Sequence, residues 1–183
     1  MSNKLCVACL MICVFYSTGI LTAQSLEAKQ ASERTIFNED EESFPNSAPM
    51  PKSVLNALLA TREGGDTNRI ILQNFPDKDP NQFFSADKVH LSSHEDVDYI
   101  VLGSFPLTGA DCAWFWVVRS DKTHPKIILF ANANSIELLK SRTNGFRNIR
   151  TVWSSASGDT VTHVYHYDGA RYKLAHKFER VRP

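Results

Sequence analysis

Cysteine is almost absent from this chain beyond its first few residues. Of four cysteines, Cys6, Cys9 and Cys13 fall near the N-terminus and only Cys112 lies further on. A single remaining thiol makes no internal disulfide, so the core alone has to hold the fold. Excess charge is also lacking: 20 Lys and Arg balance 20 Asp and Glu, which excludes a generally basic nucleic-acid binder and a strongly acidic solvating protein. Glycine and proline, eight of each among 183 residues, are too few for a collagenous or low-complexity chain. Catalytic and cofactor signatures are missing as well. There is no G-x-S-x-G, no H-E-x-x-H, no phosphate-binding loop and no dinucleotide fingerprint. These absences favour a self-supporting binding protein without a cofactor over an enzyme.

What is present begins with an address. Residues 1–23 (MSNKLCVACLMICVFYSTGILTA) hold one charge, Lys4, followed by an apolar or small-residue run ending at Ala23. A short positive region, an apolar stretch and a small-residue end describe a secretory signal peptide. The expected location is therefore secreted or periplasmic. An uncleaved signal anchor is the rival reading, since a span needs about 20 apolar residues, and it offers the only route to a membrane. Residues 26–49 carry six acidic and two basic residues among Ser, Asn and Pro. They read as a flexible acidic tail, giving the division 1–23 signal, 24–49 tail and 50–183 folded domain. Charge is split within that domain: residues 50–139 hold 8 basic and 11 acidic residues, and residues 140–183 hold 9 basic and 3 acidic.

Within the domain, Ser53 is placed to cap a helix whose apolar stripe is Val54, Leu55, Leu58 and Leu59, with Gly64 and Gly65 ending it. From there the pattern turns to short β segments. Residues 70–72 and 88–91 read as weak strands and residues 99–103, 113–119 and 126–131 as strong ones. Residues 135–140 fit a strand or a helical turn, and residues 149–153, 161–167 and 171–178 are strands. Trp114 and Trp116 alternate with Phe115 and Val117, so that strand is apolar on both sides and belongs in the centre of a sheet. Asp168 with Gly169 is the favoured pair for a two-residue type I′ turn, and Asn144 with Gly145 signals a second tight turn. The expected fold is α+β, one N-terminal helix packed on an antiparallel, meander-like β-sheet.

A two-residue turn at Asp168 and Gly169 would pair Tyr167 with Ala170, Tyr165 with Tyr172 and His163 with Leu174. It would place Arg171, Lys173, Lys177 and His166 on one solvent-facing, basic face. That face is the candidate binding site, suited to an envelope or secreted protein or an anionic wall polymer. Lys and Arg on an edge strand also guard against unwanted pairing. The same register puts His163 and His176 on a shared face, where two zinc ligands would lack a third, so no metal site is assigned. Asp77, Asp79 and Asn81 open like a calcium loop, but Gln82 and Lys88 stand where Gly and Glu are needed. Glu95, Asp96 and Asp98 read as a solvated turn. Cys112 follows Asp111, whose charge disfavours a thiolate. A buried thiol is expected there, with a Cys112-linked dimer as the alternative.

Four pieces resemble a group of small secreted bacterial proteins of unassigned function: residues 98–103 (DYIVLG), 116–119 (WVVR), 143–149 (TNGFRNI) and 165–172 (YHYDGARY). In that group the third piece often reads T-N-G-Y-x-D-I, where this chain has Asn148 in place of the aspartate. The resemblance implies an exported β-rich domain and points to no particular activity. The function expected is a non-catalytic exported binding protein. An inhibitor or immunity-type protein using residues 105–111 is the alternative, and a hydrolytic enzyme comes third.

Overall fold

The computed structural model describes residues 33–41, 44, 47, 49–92, 96–104, 107, 112–120 and 124–181. The expected signal segment lies outside these residues, as does all but Leu107 of residues 105–111. Among the described residues no helix is long and apolar enough to cross a membrane.

Among the described residues, nine antiparallel strands in two sheets and two α-helices make a mixed α+β fold. The elements run β1 (Ile36–Asn38), α1 (Lys52–Leu59), α2 (Arg62–Asn74), a 3-10 turn (Pro80–Phe83), β2 (Phe84–Val89), β3 (Asp98–Gly103), β4 (Ala113–Arg119), β5 (Lys126–Ala133), β6 (Ser135–Thr143), β7 (Phe146–Ser154), β8 (Thr160–Tyr167) and β9 (Tyr172–Arg180). Instead of one sheet there are two, ordered β2-β3-β4-β5 and β1-β6-β7-β8-β9. Asn134 alone separates β5 from β6, so the chain passes from one sheet to the other at a single residue.

Strand periodicity explains the layers. On β3 and β4, Ile100, Leu102, Phe115 and Val117 join a core that also contains Ile136 and Leu138 of β6 and Ile149 of β7. The alternate residues Tyr99, Val101, Trp116 and Val118 join a second core with Val54 and Leu58 of α1 and Ile71 of α2. The four-stranded sheet is thus covered by helices on one face and by the five-stranded sheet on the other. Strand β4 is internal and apolar on both faces, as its Trp-Phe-Trp-Val run implies. Filling both sides this way places large side chains such as Trp116 and Phe115 at 0% exposure.

Three local expectations fail for identifiable reasons. The helix does not stop at Gly64 and Gly65; it breaks earlier, at Thr61. The Thr61 hydroxyl donates to the Leu58 carbonyl (2.7 Å) and accepts from the Gly64 N–H (2.9 Å), capping α2. Gly64 lies so close to the end of α1 that an added Cβ would sit 1.8 Å from the Leu58 oxygen, so close packing rather than helix termination is its role. Residues 70–72 are helical because Gly64, Thr67 and Ile71, spaced three and four apart, form the buried stripe of α2. Ser53 lies inside α1, whose cap position is Pro51 and has no side-chain bond.

The acidic segment also differs from the expected tail. The folded body begins at Arg34, and β1 pairs with β6 through Phe37 opposite Ile136. Phe37 and Phe44 are 0% and 1% exposed and meet edge-on at 5.2 Å. The Arg34 guanidinium lies over both rings, at 4.8 and 5.2 Å, and pairs with Glu41. Burial pushes the Glu41 carboxyl up, but its bonds to Arg34 and to the Asn38 N–H outweigh this and hold it below its ordinary value. Two buried rings and an Arg34–Glu41 ion pair anchor a stretch whose composition alone looks unfoldable.

Candidate functional site

The Asn144–Gly145 and Asp168–Gly169 turns of the five-stranded sheet carry like sequence signals but close differently. Asn144 (φ 51°) and Gly145 (φ 80°) form the expected tight turn, two residues long, opposing Thr143 to Phe146. At the β8–β9 turn, the Asp168 carboxylate accepts hydrogen bonds from the N–H groups of Arg171 and Ala170, both at 2.8 Å. These bonds hold its carboxyl below the ordinary range. The Asp168 N–H donates to the Arg171 carbonyl and the Tyr167 hydroxyl to the Gly169 carbonyl. The loop is therefore four residues long, and Tyr167 faces Tyr172.

A shift of two residues preserves the faces, so His166 still shares a face with Lys173, its direct partner. A second irregularity does not preserve them. Tyr165 opposes Leu174 and Val164 opposes His176, leaving Ala175 as an extra residue. This bulge reverses the sides of everything after it. Lys177 comes opposite His163, on the face away from His166, and pairs with Glu179 at 2.5 Å. Arg171 sits in the turn. The four residues of the expected basic face do not share one surface.

The histidines exchange places for the same reason. His163 and His176 lie on opposite faces. His176 instead meets His166, with ring centroids 5.7 Å apart, and stacks on Phe178. His163 lies beside Tyr165, whose hydroxyl is 3.3 Å from Nδ1. Among the described residues no three His, Cys, Asp or Glu side chains converge as a metal would need. Asp79 caps the 3-10 turn through the Asn81 N–H, which gives the Asp77 to Asn81 stretch a local role. Cys112 is partly exposed rather than buried.

Arg171 and Lys173 do meet at another place. Together with Tyr172 and Leu174 they line one wall of a cleft of about 530 Å³; residues 127–130 of β5 form the other wall, and Thr61 and Glu63 close its end. Both walls are runs of four consecutive residues. Alternate side chains of a strand point to opposite faces, so a cleft touching every residue follows the strand edges rather than one face. Strands β5 and β9 are each terminal in their sheets. The cleft thus joins two strand edges, the apolar wall of β5, an exposed Leu174 (52%) and a rim bearing Arg171, Lys173 and Glu63. Sequence reasoning found the rim but not β5, because no local signal tells which sheet edge the hairpin will overhang.

A polar clasp holds the base of this hairpin. Asp98, read from sequence as part of a solvated turn, is 1% exposed. Its carboxylate accepts from the Leu91 N–H (3.3 Å) and the Ser120 N–H (3.0 Å). Burial raises its pKa to about 6, against the opposing pull of those two donors and of Arg119. Arg119 in turn donates to the Tyr167 hydroxyl (3.1 Å) and lies over Phe146, which stacks on Tyr167 at 4.0 Å. The Tyr172 hydroxyl donates to the Arg147 carbonyl (2.7 Å), and burial drives its pKa far up. Arg147 spends its guanidinium on the carbonyls of Leu138 and Leu139. With Asp98 sealed from solvent and bound to main chain, this cluster ties β3, β4 and β7 to the base of the β8–β9 hairpin.

The chain matches no protein-family model, no curated protein and no solved structure. Function therefore has to be read from the cleft and the exposed hairpin.

Proposed function

We propose that this chain is an exported, non-catalytic binding protein that receives an extended, acidic segment of a partner protein along the cleft between β5 and β9. The cleft's two edge-strand walls carry this reading. A strand edge offers main-chain donors and acceptors to an added strand, while flanking side chains select its sequence. Arg171 and Lys173 on the rim favour negative charge, and residues 127–130 with Leu174 supply apolar contact. Lys4, the apolar run to Ala23 and the resemblance to small secreted bacterial proteins support export.

The test is retention of envelope proteins by the purified chain at low salt and at about 0.5 M, where the Debye length falls to roughly 4 Å. Retention is expected to vanish at high salt and in the Arg171→Glu/Lys173→Glu variant. Retention indifferent to both would contradict the acidic-segment reading. Salt-resistant retention lost only with Leu174→Asp would transfer the cleft to an inhibitor or immunity-type role. Retention of purified anionic wall polymer in place of protein would change the partner class.

A further inference from the structure

We infer that the outer half of β9 pairs antiparallel with β9 of a second copy of this chain, about a two-fold axis at Phe178. The inference is independent of the cleft, which uses the other end of the strand. Strand β9 closes its sheet, and every residue from Lys173 to Arg180 is exposed. Phe178 and Val181 remain 59% and 74% exposed. Long edges carrying large apolar side chains are normally shielded, because they template pairing.

Self-pairing is restricted by geometry and then by charge. A two-fold axis normal to the sheet continues each face of one copy into the same face of the other, so opposed residues must come from one face. The bulge at Ala175 breaks the alternation and leaves residues 176–181 as the regular run. Within it only axes at 177, 178, 179 or 180 oppose residues of one face. An axis at Lys177 sets Lys177 against its own copy. Axes at Glu179 and Arg180 likewise oppose two carboxylates and two guanidinium groups. The axis at Phe178 instead opposes Lys177 to Glu179 of the second copy, twice, brings the two Phe178 rings together, and sets His176 against Arg180 and Ala175 near Val181. Cross-strand pairs of opposite charge and of aromatic rings are the favourable ones, and like charges directly opposite are not. Lys177 and Glu179 already form an ion pair within one strand, so pairing exchanges one carboxylate partner for its equivalent without stranding a charge.

A contact of about six residues a side falls well below the roughly 1,600 Å² of a standard interface, so the dimer should be weak and concentration-dependent. Sedimentation of the full chain from about 10 μM to 1 mM tests this. A reductant in the buffer removes any contribution from Cys112 cross-linking. A monomer–dimer equilibrium is expected. Lys177→Glu and Glu179→Lys should each weaken it about tenfold or more, and the double exchange should restore it to within about threefold. Both side chains are at least half exposed, so the variants should keep the circular dichroism of the parent. A monomer at every concentration, a dimer indifferent to the single changes, or a double exchange that fails to rescue would each overturn the inference.

Discussion

The β6–β7 and β8–β9 hairpins carry the same kind of turn signal, yet one obeys it and the other does not. Asn144 enters the left-handed region and Gly145 follows, so two residues suffice. Asp168 turns its carboxylate onto the two N–H groups ahead of it, and the loop closes two residues later. The first hairpin shifts register too, between the Leu138–Ile149 and Arg142–Arg147 pairs, although Leu138 and Ile149 themselves, at most 2% exposed, stay directly opposed. The second has buried tyrosines only at its base, and its bulge lies along the exposed length of β9. In both hairpins the irregularity falls among exposed residues, Lys140 and Ser141 of β6 and Ala175 of β9. Chain turns and core together decide strand register; turn residues alone do not.

The largest contrast should appear in stability. Ile149→Ala removes a fully buried side chain and should cost about 3 kcal/mol in denaturant unfolding. Leu174→Ala, half exposed on β9, should change stability by less than about 0.5 kcal/mol. Equal losses would mean that the two hairpins are equally part of the core.

A pH effect of similar or slightly smaller size comes from the clasp at the base of both hairpins. Asp98 titrates near 6 when folded and near 3.9 when unfolded, so the folded state holds the proton more tightly. The stability this contributes is fully present below about pH 4 and is lost as pH rises through about 6, amounting to roughly 2–3 kcal/mol. Asp87, whose carboxyl burial also raises, acts with the same sign. Unfolding measured from pH 4 to 7 should therefore show declining stability, and Asp98→Asn should remove most of the slope. An unchanged slope in that variant would place the titration elsewhere.

A smaller contrast should come from the two turns. An added Cβ at Gly145 or Gly169 meets nothing within 4 Å, so substitution with Ala is resisted by backbone conformation alone, at about 1–2 kcal/mol. The φ of Gly169, 107°, lies further from the left-handed well than the 80° of Gly145, and Gly169→Ala should lower the melting temperature more. The reverse order would mean that the β8–β9 loop relaxes readily.

Much of the fold is legible in the amino-acid order where periodicity is strong. The alternation of Phe115 and Trp116 places β4 between two covered faces, and most strands from β3 onward lie within a few residues of their expected positions. Other parts are decided by contacts distant in sequence. Phe37 and Phe44 sit among acidic residues and look solvated until β6 and Ser85, whose hydroxyl accepts the Phe44 N–H, are brought beside them. Asp98 looks like surface because its partners, Leu91 and Ser120, lie in other segments. The candidate site is half legible. Arg171 and Lys173 are identified by charge, but the β5 wall is tertiary, and a single unpaired residue, Ala175, removes Lys177 from their surface.

The register of the last hairpin decides the cleft, the placement of Lys177 and the proposed self-pairing together. Cross-strand nuclear Overhauser contacts between backbone protons of β8 and β9 measure it directly. His166 should be found opposite Lys173, and His163 opposite Lys177. Contacts of His166 with Arg171 and of His163 with Leu174 would instead restore the two-residue turn, return the basic residues to one face, and contradict the bulged register on which the cleft and the self-pairing both depend.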